Sequence, residues 1–181
     1  WYDKAYKSET PEPNAMNLAT ATPDGKPSSR GVLLKQIKDN GFVFFTNYES
    51  RKGQQIEQNK YCALNFLWLE LERQVRIEGI VKKVSPAESD AYFEMRPALS
   101  RLGAWASPQS RVIPNRDRLD KMIDGYETKF GEDEIPRPDN WGGYIVVPHL
   151  IEFWQGRANR LHDRIQYSFS GNEWIIERLA P

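Results

Sequence analysis

Turn-forming clusters cut this chain into short runs rich in β-branched and aromatic residues, and that punctuation constrains the fold more than any other feature. Pro23-Asp24-Gly25-Lys26 separates residues 15–22 from 27–36, which reads as a hairpin. Lys38-Asp39-Asn40-Gly41 is a second turn, with Gly41 expected to take a positive φ, and residues 42–47 follow as a third strand. Residues 61–69 and 73–84 form two longer β-rich segments a few positions apart; in the second, Val75, Ile77 and Gly79 alternate with Arg76 and Glu78. Near the C-terminus, 143–155, 162–170 and 174–179 are further strands, the last two joined by Ser170-Gly171-Asn172.

Helices interrupt the strands. Residues 49–59 lack strong β-formers and have Ser50 as an N-cap, so a short surface helix is expected there. Ser85-Pro86-Ala87-Glu88 has capping-box spacing with proline at the first helical position, which predicts a helix over 86–95. Pro97 ends it, 98–106 forms another, and Asn115 caps a third that runs to about residue 130. Residues 1–12 read as a polar leader and 131–140, with Pro136 and Pro138, as a loop. The expected class is mainly β with flanking helices: one antiparallel domain over 1–181 whose sheet closes, or nearly closes, into a barrel and so hides its edges.

Lys and Arg total 25 and Asp and Glu total 25, so no overall field draws in nucleic acid or a membrane surface, and any phosphate binding has to be local. The single cysteine, Cys62, lies in an apolar run; it excludes an internal disulfide and suits a reducing, cytoplasmic setting. No stretch reaches the roughly 18 apolar residues of a membrane span. The chain opens at Trp1 rather than Met, so a segment upstream is expected.

The dinucleotide fingerprint, the Walker loop, paired Cys-x-x-Cys and the G-x-S-x-G elbow are all absent. His149 and His162 have no ligand-spaced partner, so no metal site is expected. Cations instead cluster at turns and strand ends: Arg30 and Lys35, then Arg51 and Lys52 beside the helix start at Ser50. Arginine forks onto phosphate oxygens and lysine supplies a point charge, although one such pair alone is more often solvated surface charge. Arg30 and Lys35 are five apart and face opposite ways on a regular strand; either a bulge re-aims one or the two serve different groups at a barrel rim. Tyr92, Arg96 and Ser100, at intervals of four, make a phosphate cup if the helix continues past Pro97, and an ordinary helix end with Arg96 on the C-terminal dipole if it does not. Glu152-Phe153-Trp154-Gln155-Gly156 runs into Arg160-Leu161-His162-Asp163-Arg164, an aromatic strand entering a loop dense with charge.

These segments, with Pro13-Asn14-Ala15-Met16, Phe45-Thr46-Asn47, Glu72-Arg73-Gln74-Val75, Trp141-Gly142-Gly143 and the terminal Arg178-Leu179-Ala180-Pro181, resemble in order the pyridoxine/pyridoxamine 5'-phosphate oxidase family from about residue 13 onward. The resemblance implies an FMN-binding split β-barrel, a homodimer with FMN at the subunit interface. It implies FMN contacts from Arg30, Gly31, Val32, Leu33, Leu34, Lys35, Phe45, Thr46, Arg51, Lys52, Gln74, Gln109, Ser110, Trp154 and Arg164. Lys35, Tyr92, Arg96 and Ser100 then hold the substrate phosphate, Arg160, Leu161 and His162 contact the substrate ring, and Arg160 and His162 are the catalytic pair. The implied reaction oxidises C4' of pyridoxamine or pyridoxine 5'-phosphate to give pyridoxal 5'-phosphate, with hydride passing to flavin N5 and O2 reduced to hydrogen peroxide. Arg101-Leu102 and Met95 depart from the family pattern without removing a ligand. A split-barrel flavin reductase, another FMN or deazaflavin oxidoreductase, or a non-enzymatic flavin or pyridoxal phosphate carrier shares the fold; the reductases do not need Tyr92, Arg96, Ser100, Arg160 and His162 together.

Overall fold

A computed structural model describes residues 1–8, 10–131 and 134–181, so Glu9 of the expected leader and Glu132 and Asp133 of the expected loop lie outside the described residues. The leader contains a short helix, α1 (Tyr2–Tyr6), which carries Ala5 fully into the core, with Tyr2 packed beside it. A single helical turn has no periodicity to reveal it in the sequence.

The first hairpin forms as expected, β1 (Ala15–Ala21) against β2 (Pro27–Leu33). The strand expected over 27–36 instead breaks. β2 stops at Leu33, and β3 (Gln36–Lys38) begins after Leu34-Lys35 and pairs with β4 (Gly41–Asn47). Asp39 and Asn40 carry the positive φ values of the intervening turn, +48° and +56°, not Gly41. Gly41 answers a different demand: a Cβ there would lie 2.5 Å from Ile145 Cγ1 and 2.9 Å from the Val146 carbonyl oxygen.

Ser50 caps α2 (Arg51–Gln58) by accepting the Gly53 N–H, and β5 (Tyr61–Trp68) pairs with β6 (Arg73–Lys83). The capping box at Ser85 and Glu88 starts α3 (Pro86–Glu94); α4 (Ala98–Ala106) and α5 (Arg116–Phe130), capped by Asn115, follow. The chain finishes with β7 (Trp141–Gln155), β8 (Asp163–Ser170) and β9 (Glu173–Leu179).

Strand order explains the barrel. The sheet runs β2-β1-β5-β6-β7-β4-β3, so β2 and β3 stand at opposite ends yet are joined by only Leu34 and Lys35. Two residues cannot cross a flat sheet, so the sheet curls until its ends meet. The link is pinned on both sides, Leu34 N–H donating to Asn14 O and Lys35 N–H to Val43 O, each at 2.8 Å. β7 holds the sheet together: it pairs with β6 along most of its length, with β4 through Val146, and with β8 from Leu150 onward. A bulge at the change of neighbour leaves His149 without a partner in the register opposite Glu78 and Gly79. Inside the curl, Leu18, Phe44, Leu64, Ile77 and Val146 are essentially fully buried, each worth about 1.5–3 kcal/mol of apolar transfer. A smaller cluster of Phe93, Leu102, Ile135 and Trp141 holds the helices to the sheet.

Candidate active site

A cavity of about 650 Å³ opens where β2, β4, α2, α3 and α4 converge. Its lining includes Arg30, Gly31, Val32, Leu33 and Lys35 from the first run of expected site residues, then Phe45, Thr46 and Lys52, then Tyr92, Arg96, Ser100 and Gln109. Arg30 and Lys35 face one space because the chain changes sheet edge between them. Leu34 is the exception in that run; its side chain is buried in the core. As expected, Pro97 separates two helices: α3 ends at Glu94 and Pro97 becomes the N-cap of α4, so the continuous helix that would have put Tyr92, Arg96 and Ser100 on one face does not form. Tyr92, Arg96 and Ser100 nevertheless line the same cavity, from the end of α3, the link and the first turn of α4.

Among the described residues, four cations line this space and no carboxylate does. None of Arg30, Lys35, Arg51, Lys52 and Arg96 makes an ion pair among the described residues. Burial, and then the neighbouring charge of Arg51, lowers the Arg30 pKa. Burial, and then Arg30, brings the Lys52 ammonium down to about 8. Lys52 Nζ donates to Gln109 Oε1 at 2.8 Å and Thr46 Oγ1 at 3.1 Å, and so is aimed by a neutral amide and a hydroxyl. Arg96 is lowered by burial, its Nη1 is buried without an acceptor among the described residues, and its guanidinium lies 4.6 Å over the Trp141 ring. Mutually repelling, partly dehydrated cations of this kind favour a negatively charged group among them.

The apolar wall is a set of near-parallel rings. Phe45 stacks on Tyr92 at 3.9 Å and 13°, and Trp141 lies parallel at 5.6 Å from Phe45. Phe45 pairs with Gly143 across β4 and β7, and a Cβ on Gly143 would come within 2.7 Å of the Phe45 ring, so the glycine makes room for the stack. Arg51 and Ser110 are exposed and stand outside the lining; Ser110 sits at φ +69° just beyond Gln109.

The remaining expected residues gather elsewhere. Gln74 pairs with Trp154 and Trp154 with Arg164 across β6, β7 and β8. His162 packs on Trp154 at 4.6 Å, and its Nδ1 accepts the Arg157 N–H at 3.1 Å, which places the proton of the neutral ring on Nε2. Trp154 and His162 line a second cavity of about 260 Å³ that shares no residue with the first. Arg164 is clamped by the buried Glu152 at 2.7 Å and by the Ala180 carbonyl at 2.9 Å. Asp163 pairs with Arg157 and Arg178. Arg160 and Leu161 are exposed, and Asn159 and Arg160 both hold positive φ, +58° and +62°, a strained pair in the loop that presents Arg160. Phe45 meets β7 at Gly143, whereas Trp154 stands eleven residues further along, roughly 35 Å of strand contour.

Residues 2–130 match the family model described as pyridoxamine 5'-phosphate oxidase. The chain belongs to the pyridoxamine 5'-phosphate oxidase family. Residues 141–181 match the pyridoxine 5'-phosphate oxidase C-terminal dimerisation region. In that segment β8 and β9 expose Phe169, Trp174, Ile175 and Ile176, an apolar ribbon suited to a second subunit. Among curated relatives in this oxidase family, a pyridoxine/pyridoxamine 5'-phosphate oxidase of Acaryochloris marina is 59% identical over 100% of this chain and 83% of that protein. The protein of the same name from Salinibacter ruber is 56% identical over 100% of this chain and 86% of its own length. Among solved structures, PhzG from Burkholderia lata in complex with tetrahydrophenazine-1-carboxylic acid superposes with a TM-score of 0.95 at 32% identity, covering 100% of this chain and 89% of that one. A pyridoxamine 5'-phosphate oxidase-related, FMN-binding protein from Nostoc punctiforme shares the fold, with a TM-score of 0.74 at 22% identity over 93% and 88%. No helix of the described residues is long and apolar enough to cross a membrane.

For this oxidase-family chain, sequence reasoning assigned no site role to Trp141 and Pro97, although both line the main cavity. Trp141 opens the Trp-Gly-Gly motif and was visible there, but its stacking on Phe45 depends on the β4–β7 register. Glu152 was likewise part of a noted segment, and only its burial against Arg164 reveals the clamp.

Proposed function

We propose that this chain oxidises pyridoxamine or pyridoxine 5'-phosphate to pyridoxal 5'-phosphate, with FMN as cofactor and O2 as electron acceptor, in a homodimer whose subunits share each site. The observation that carries this reading is the cavity that, among the described residues, has four cations, no carboxylate and a wall of parallel rings. One phosphate would not call for so many uncompensated charges; two phosphate-bearing ligands would. Arg30, Arg51 and Lys52 would hold the FMN phosphate, with Thr46, Gln109 and Ser110 completing its polar surround. Lys35, Tyr92, Arg96 and Ser100 would hold the substrate phosphate, where the unmatched Arg96 Nη1 fits an anion.

Gln74, Trp154, Arg160, His162 and Arg164 would come from the partner subunit, which the separate cavities and the long run of β7 between the two clusters support. The exposed β8–β9 ribbon would bring them there. FMN, when bound, supplies the hydride acceptor, and O2 takes the electrons onward as hydrogen peroxide. The protein's own part is to bind both phosphates, orient the donor carbon and exclude water; His162, with its proton on Nε2, would donate to the substrate ring, and Arg160 would steer the substrate. A cytoplasmic setting goes with this reading: the single thiol, Cys62, is buried, which pushes its pKa up to about 12.

The test is to mix the purified protein with FMN and pyridoxamine 5'-phosphate in air and follow pyridoxal phosphate and peroxide together. FMN-dependent formation of both is expected; flavin binding without product would transfer the chain to the reductase or carrier class. Mixing inactive Arg96→Ala and Arg160→Ala proteins should then restore about a quarter of the sites, because half the re-formed dimers carry one intact site. No restoration would place the whole site within one subunit.

A further inference from the structure

Gln55, on the inner face of α2, has no place in the ligand set above, yet it is the most connected polar side chain behind that site. It is buried, 5% exposed, and its Oε1 accepts from Thr20 Oγ1 on β1 at 2.6 Å, Ser28 Oγ on β2 at 2.7 Å and Arg30 Nη2 at 3.3 Å. Thr20, equally buried, also accepts from Arg30 Nη1 at 2.6 Å. The Leu18 and Ser28 carbonyls accept from the same nitrogen at 3.1 and 3.2 Å, and Ser28 Oγ from Nη2 at 2.6 Å. Both terminal nitrogens of Arg30 are therefore fixed by β1, β2 and α2 acting together.

An amide is an expensive occupant of such a position, since its dehydration has to be offset by hydrogen bonds that a methionine of similar size would not need. What the amide provides is an anchor without charge. Every acceptor on Arg30 is neutral, so the guanidinium is held rigidly while its positive charge stays uncompensated beside Arg51 and Lys52. A carboxylate at position 55 would accept from the same Nη2 and cancel that charge. We infer that Gln55 is a positioning residue for the cofactor phosphate: with Thr20 and Ser28 it fixes Arg30 at the cavity wall with its charge intact. The inference rests on the FMN reading above and adds a residue that acts through Arg30 rather than on the ligand.

Riboflavin, which has the same ring system without the phosphate, separates this role from plain packing. Dissociation constants for FMN and riboflavin would be measured by quenching of flavin fluorescence in wild type, Gln55→Met and Gln55→Glu, alongside thermal melts. Both variants should bind FMN about tenfold more weakly, the scale of one charge-assisted hydrogen bond, with riboflavin unchanged. In an Arg30→Ala background, Gln55→Met should add nothing further to the loss. Parallel weakening of both flavins would reduce Gln55 to a packing residue, and unchanged FMN binding would remove it from the site. If Gln55→Met does not fold, Ser28→Ala at the half-buried rim of the network is read the same way, with about a threefold selective loss expected. A wild type that binds both flavins alike overturns the phosphate reading and this inference together, whereas a wild type that prefers FMN, with variants that keep the preference, overturns the inference alone.

Discussion

Raising the pH from 7 to 9 should loosen FMN but not riboflavin, and the reason is Lys52. Burial and the nearby Arg30 hold its ammonium at about 8, against an ordinary value of 10.5. Between those two values the unfolded chain carries a proton at this site that the folded, ligand-free protein has shed. The unfolded state then binds more protons, so the Lys52 contribution to ligand-free stability improves as pH rises across that window. Ligand binding runs the other way. A phosphate dianion beside Nζ favours the charged form, so binding takes up a proton above pH 8 and affinity falls as pH climbs. If the bound lysine regains its ordinary value, the loss by pH 9 is about tenfold, or roughly 1.4 kcal/mol, the linkage of one proton over one pH unit. Fluorescence titrations at pH 7, 8 and 9 measure it, and riboflavin controls for any titration of the ring. Lys52→Met should bind FMN more weakly at pH 7 and show no slope. An FMN affinity flat from pH 7 to 9 in wild type, or an equal slope for riboflavin, would refute the reasoning.

Arg160→Ala should spare FMN binding while sharply lowering turnover, whereas Arg51→Ala should chiefly weaken FMN retention; equal flavin loss in both would contradict the division of roles. Gly143→Ala puts a Cβ 2.6 Å from Val84 Cγ2 and 2.7 Å from the Phe45 ring, so Phe45 has to leave its stack on Tyr92. Overpacking of this kind costs about 1–3 kcal/mol, a fall in Tm of roughly 2–10 °C by scanning calorimetry, and an unchanged melt would show that the ring is not confined there.

Local chemistry made much of the fold legible. Ser85 and Glu88 start α3 because their capping bonds span three residues, and Asn115 starts α5 for the same reason. The alternation in β6 buries Val75, Ile77 and Val81 because side chains on a strand change face at every step. The positive φ at Asp39 and Asn40 was misplaced onto Gly41, since a glycine needed for close approach looks the same in sequence as one needed for a turn. The family motifs likewise singled out Arg30, Lys35, Thr46, Lys52, Tyr92, Arg96, Ser100 and Gln109, which line one cavity.

The gathering itself was not legible. Arg30 and Lys35 share a cavity only because Leu34-Lys35 carries the chain from one sheet edge to the other, a consequence of a strand order fixed by pairings between residues far apart in the chain, such as Phe42 with Val146. Gln55 read as one more polar residue of a surface helix until packing against β1 and β2 turned its amide inward. Strands, turns, caps and the stock of cations could be read along the chain, because each of those depends on interactions within a few residues. Tertiary structure decided which cations stand together, which are left uncompensated, and that Trp154 and His162 lie apart from them; charge, burial and register are set by neighbours in space, and those neighbours come from distant parts of the chain.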